Sequence, residues 1–273
     1  MEINFIEDRN IIKNIFKDYI KNLLKSSNKI LSIKVNKLLI NIDFNYLLNI
    51  YINNVIFFSY NEKIIITNWI SKINSNYNQF NKFNNIKWNF VKLSTNMELS
   101  KPFTLQNTIF LTNDIFKDSK PIYILIHEKI HIIQRLYPTI FQCLYTANLG
   151  LIPANIIFTD FWRDKLFPNP DGIKYQHIYE FNKNFFLPIL AWIENKVTQI
   201  VIFIQKLNNQ YITTNKYWFL TDFKHIFFKN YPDNISLYHP NEISAEILTY
   251  IIMNKNIDDD IKLKFKKISD FLM

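Results

Sequence analysis

The sequence predicts an α+β fold. Three observations carry the prediction. Residues 122–136 keep an apolar helical spacing with little polar face, two compact β-branched and aromatic runs at 86–91 and 108–112 precede them, and helices and β-rich runs alternate afterwards. With 273 residues and 48% hydrophobic content the chain can bury a large core. Residues 1–60 read as an N-terminal helical and mixed extension, and residues 61–273 as the main domain.

Taken in order, residues 5–25 set Phe5, Ile6, Ile12, Ile15, Phe16, Tyr19 and Leu23 at helical spacing with Lys and Asp opposite, an amphipathic helix. Apolar clusters broken by Asn pairs leave residues 29–60 mixed. A helix is expected over 64–80, from Ile65, Trp69, Ile70, Ile73 and Tyr77, followed by strands at 86–91 and 108–112. Asp118 and Ser119 stand where a cap for the 122–136 helix belongs, Pro121 suits its first turn and Pro138 marks its end. A helix over 139–148 carries Cys143 and stops at Gly150. Residues 167–172, Phe-Pro-Asn-Pro-Asp-Gly, form the strongest turn signal and divide the domain. Beyond it lie β-rich runs at 200–204 and 211–214, a helix opened by Asn241 as N-cap, and a C-terminal helix over 258–272 with Asp early and Lys later, as the helix dipole favours.

Composition excludes several functions. The net charge of +9 comes from lysines spread along the chain, with Arg9, Arg135 and Arg163 the only arginines, so no specific nucleic-acid partner is expected. Two glycines, Gly150 and Gly172, cannot build a dinucleotide fingerprint or a P-loop. One cysteine allows neither an internal disulfide nor a Cys-rich zinc site. The N-terminus lacks a basic segment followed by an apolar one, and the longest apolar stretch, 185–193, is far short of the roughly 20 residues of a membrane span. The expectation is a soluble, cytoplasmic protein without a membrane span; the sequence leaves its oligomeric state open.

The chemistry sits at His127-Glu128-Lys129-Ile130-His131. Histidines at i and i+4 project from one helix face and can grip one metal, with Glu128 beside them as a base. Ile126, Ile130 and Ile133 make that helix a buried one, and buried charges need partners. A catalytic zinc takes three protein ligands and keeps one position open, so a further group is required. Glu242 and Glu246 share a helix face downstream and are the leading candidates, with Glu194, Glu180 and His177 as substitutes. A donor for a developing oxyanion could come from Tyr238, His239, His225, Tyr179 or Arg163.

His127-Glu-x-x-His131 followed by Asn241-Glu242-Ile243-Ser244-Ala245-Glu246 resembles the gluzincins, the zincin group of thermolysin-like zinc peptidases. The metzincin extension is absent, since Gln134 and Tyr137 stand where that group has Gly and His. The resemblance implies a zincin-like catalytic domain, a twisted sheet over the active-site helix with a helical second half, whose edge strand, here 108–112, aligns an extended substrate. It implies Zn²⁺ held by His127, His131 and Glu242, Glu246 supporting His127, and Glu128 assisting attack of zinc-bound water on a peptide or protein substrate. The 110 residues between His131 and Glu242 depart from the short gluzincin spacing. Asn96-Met97-Glu98 only faintly resembles the G-x-M-E-N element of zinc aminopeptidases, lacking its glycine and final Asn. The alternative function is a zincin-fold protein that binds a partner protein, its zinc structural or vestigial.

Overall fold

A computed structural model describes residues 2–172, 174–233 and 235–273. The N-terminal stretch runs β1 (Ile3–Phe5), α1 (Arg9–Leu23), α2 (Asn28–Lys34), α3 (Phe44–Asn53) and β2 (Val55–Ile56). Phe5 and Ile6, expected in the first helix, lie before it. Asp8 caps α1 by accepting the Asn10 N–H, and Phe5 pairs instead with Phe90 in a parallel strand.

There follow α4 (Tyr60–Asn76), opened by a Ser59/Glu62 capping box, α5 (Asn81–Asn85), β3 (Trp88–Leu93), β4 (Phe103–Leu105), β5 (Thr108–Leu111) and α6 (Pro121–Leu136). β3 is the sheet's spine. Its one edge takes β1 and then β2, its other edge takes β5, and β4 lies antiparallel to β5. The strand expected at the edge, 108–112, is therefore internal, and the edge is the three-residue β4, too short to leave a sequence period.

Alternation explains what covers this sheet. Trp88, Phe90, Ile109 and Leu111 face α4 and α6, whereas Val91, Leu93, Phe103 and Phe110 face the N-terminal helices. Residues 1–60 thus supply two strands and the cover for the second face. On α6, Ile126, Ile130 and Ile133 are fully buried, each contributing about 1.5–3 kcal/mol of apolar burial.

The second half is α7 (Pro138–Cys143), a π turn to Asn148 that Gly150 closes at φ 67°, β6 (Ile152–Pro153), β7 (Ile156–Ile157), α8 (Asp160–Arg163), β8 (His177–Phe181), β9 (Asn184–Ile193), β10 (Lys196–Leu207), β11 (Gln210–Phe219), α9 (Leu220–Phe227), α10 (Pro240–Ile252) and α11 (Asp259–Leu272). It is not simply helical. The long strands β8 to β11 form an antiparallel meander, extended by β6 and β7 to six strands, around Trp162, Ile189, Ile200 and Ile202. The molecule is mixed α and β, and among the described residues no helix is long and apolar enough to cross a membrane.

Candidate metal centre

α6 and α10 pack side by side, which carries Glu242 across the 110 intervening residues to the two histidines. His127 Nε2 and His131 Nε2 are 3.1 Å apart, and the Glu242 carboxylate lies 3.6 Å from the first and 3.5 Å from the second. A tetrahedral zinc site with ligand distances of about 2.0–2.1 Å has ligand–ligand edges of about 3.3–3.4 Å. The imidazole pair is close to that length, the two Glu242 oxygens divide between the histidines, Oε2 toward His127 and Oε1 toward His131, and one donor atom from each residue lies within 4.8 Å of the others, so the donor set can close around one metal ion.

Hydrogen bonding fixes which nitrogen is free. Gln134 donates from its amide to the Asn241 carbonyl and to Ser244 Oγ, both at 2.8 Å, which turns its own oxygen toward His131. His131 Nδ1–H donates to that oxygen at 2.9 Å. Burial lowers the proton affinity of His131, so its Nε2 presents a lone pair to the centre. On His127 burial also opposes protonation, but the Glu242 carboxylate outweighs it and raises the pKa to about 10. Glu242, despite burial, is held down to about 2 by His131 and His127. Without a metal the centre is thus an ion pair between Glu242 and a protonated His127, and a metal must displace that proton.

Two atoms here stay unsatisfied. His127 Nδ1 and Glu128 Oε2 are buried without a hydrogen-bond partner. Glu246 Oε2 lies 4.0 Å from His127 Nδ1 and accepts the Tyr123 hydroxyl. Burial, reinforced by the Asp171 charge, pushes the Glu128 carboxyl well above its usual range. Lys129, on the far side of α6, is fully buried over the rings of Trp88 and Phe83, at 3.8 and 4.7 Å, and burial lowers its proton affinity.

The remaining candidates separate clearly. Glu180 and Glu194 are exposed, and His177 is bound by Gln142 at 2.9 Å; none joins the donor cluster. Of the oxyanion candidates only Tyr238 lines the cavity of about 650 Å³ that holds His127, Glu128, His131 and Glu242. Its hydroxyl accepts from Asn169, leaving its hydrogen free to donate. His239 is spent otherwise: it replaces Asn241 as the N-cap of α10, with Nδ1 accepting the Asn241 N–H and Nε2 donating to the Lys174 carbonyl. His225 is exposed, Tyr179 packs on Phe227 and Phe228, and Arg163 pairs with Asp160 on the surface.

The turn at 167–172, expected to divide the domain, lies in the site. Asn169 donates to Glu242 at 2.8 Å, and the Asp171 carboxylate takes Arg135 at 2.7 Å and the Thr104 hydroxyl. Asn241 binds the Asp171 carbonyl at 2.7 Å, and a Cβ on Gly172 would come within 2.9 Å of the His239 ring, which is why glycine stands there. The Asn-Pro-Asp-Gly run signals the turn, but nothing local says what it touches.

Known proteins offer no match: no family model fits the chain, and neither a curated protein nor a solved structure is detectably similar.

Proposed function

We propose that the protein is a zinc-dependent metallopeptidase of the gluzincin type, acting on a peptide or protein substrate. The observation that carries the reading is the convergence of His127, His131 and Glu242, whose donor atoms lie within 4.8 Å of one another, with one lone pair pre-set by Gln134. These three residues would hold Zn²⁺, and the partly open cavity beside them leaves room for a substrate. The sheet over α6, with an acid-bearing helix behind it, supports a zincin-like arrangement.

What zinc supplies when bound is Lewis acidity toward a carbonyl oxygen and toward water. Glu128 supplies the proton chemistry. Its unpartnered Oε2 can take a proton from the attacking water and deliver it to the leaving amine, and burial, which raises its affinity for protons, favours the first of these transfers. Tyr238 Oη donates to the oxygen on which charge develops. Glu246 stands behind His127, where a carboxylate steadies a ligand imidazole. Glu128→Gln tests the assignment: zinc should be retained at unchanged stoichiometry while cleavage of a peptide library drops by about 10²–10⁴-fold. Full activity in that variant refutes the reading.

A further inference from the structure

Resting on the peptidase reading, we propose that the cleft is closed at one end, so that the protein trims residues from a chain terminus and does not cut within a chain. An extended substrate binds such a sheet by pairing with the edge beside the active-site helix, which here is β4. Alternate residues of an edge strand turn their N–H and C=O outward. On β4 the outward residue is Thr104, and both groups are taken: its N–H donates to Asp171 Oδ2 at 3.3 Å, and its carbonyl accepts from Arg135 Nη2 at 2.9 Å. The edge is sealed at this point by the protein's own chain.

The seal is anchored on three elements. Arg135 belongs to α6, Thr104 to β4, and Asn241 and Glu242 to α10, and each bonds Asp171 or Asn169. Gly172 is wedged against His239, and Asp171 is 6% exposed. The wall also stands close to the reacting groups. Asp171, Glu128 and His131 present donor atoms within 4.8 Å of one another, so the wall stands directly beside the catalytic groups and leaves no room for a chain to run on past them at this point. Among the lining residues Leu99, Lys101 and Asp118 are exposed and form the mouth; Asp118 precedes the first turn of α6, whereas Arg135 lies in its last. A chain entering there reaches the metal centre with its end against Asp171. Water then adds across the last accessible C–N bond, its hydroxyl to the acyl carbon and its proton to the departing amine.

The test uses the zinc-loaded full chain and one peptide sequence in five forms: free at both ends, N-acetylated, C-amidated, blocked at both ends, and cyclised head to tail. Mass spectrometry reads the products. The expected result is stepwise loss of terminal residues, with the doubly blocked and cyclic forms cut at least 100-fold more slowly than the free peptide. Internal cleavage of either form at a rate within tenfold of the free peptide overturns the proposal. Cleavage of none of the five defeats the peptidase reading itself, and the terminal restriction falls with it. Asp171→Ala, checked for native unfolding behaviour, should narrow the difference between doubly blocked and free peptides to less than tenfold; an undiminished difference in the folded variant places the restriction elsewhere and overturns the seal.

Discussion

Two buried charge clusters face the same cavity, and they differ in how completely they are satisfied. In the first, Glu98 accepts from Tyr19 at 2.6 Å, from Tyr51, and from Lys34 at 2.5 Å, while Lys34 also reaches the Tyr19 hydroxyl and lies 4.6 Å above the Phe167 ring. Burial and the Glu98 charge keep both phenols protonated as donors. In the second, around α6, His127 Nδ1 and Glu128 Oε2 have no partner, and two imidazole nitrogens face each other at 3.1 Å. Equal burial therefore has two meanings. A complete network locks structure, here the Glu98–Ser100 turn whose three φ angles are 50°, 57° and 59°, a conformation costing about 1–3 kcal/mol per residue. An incomplete network leaves donor atoms unspent, which is what the proposed metal centre requires.

The largest expected effect breaks the complete cluster. Lys34→Met leaves Glu98 buried and uncompensated, which costs about 3–5 kcal/mol of stability in urea unfolding. Adding Glu98→Gln to that variant should recover at least half of the loss, since the stranded charge is gone. A double variant as unstable as the single one would show that Lys34 acts through packing alone.

Next in size is a ligand of the incomplete cluster. Four-ligand structural zinc sites bind with about 10–16 kcal/mol, or about 2.5–4 kcal/mol per ligand, so Glu242→Gln should weaken zinc by about 100- to 1,000-fold in a chelator competition. Unchanged affinity removes Glu242 from the set.

What the sequence made legible divides along the same line. His127, Glu128 and His131 were readable because i and i+4 is a local geometry, and Glu242 because it shares a helix face with Glu246 by the same spacing. The α+β class and the strands at β3 and β5 followed from the same short-range periodicity. Arg135, Asn169, Asp171 and the Lys34–Glu98 pair were not readable, because each acts through a contact 31 to 73 positions away. β4 escaped because three residues hold no period, and Phe5 because Asp8 starts α1 after it.

A pH measurement separates satisfied from unsatisfied histidines. Burial holds His239 down to about 4, below the ordinary 6.5, with both nitrogens bonded in the neutral form. A depressed histidine contributes stability that is whole above 6.5 and is lost as pH falls toward 4, because the unfolded chain binds the proton first. The loss in metal-free protein is about 3 kcal/mol. His127, raised to about 10, has its contribution intact throughout that window and loses it only as pH rises from 6.5 through 10. His239→Asn, which keeps a capping acceptor, should flatten the acid limb of the stability curve; an unchanged limb assigns the loss to other groups.

The smallest effect is the most diagnostic of the site's construction. Gln134 touches no substrate and is not a ligand, yet its oxygen holds the proton on His131 Nδ1 and so keeps Nε2 bare. Gln134→Leu keeps side-chain bulk and removes that acceptor. Loss of such a support weakens metal by about 10–100-fold, less than loss of Glu242. The same variant frees His131 to exchange tautomers, so ¹⁵N chemical shifts of the metal-free protein should move from a protonated Nδ1 toward a mixture. A purely structural Gln134, bridging α6 to α10 through Asn241 and Ser244, would lower stability and leave the tautomer where it was. Weaker zinc together with a shifted tautomer ties the affinity to the hydrogen bond; weaker zinc with an unmoved tautomer ties it to the packing of the two helices.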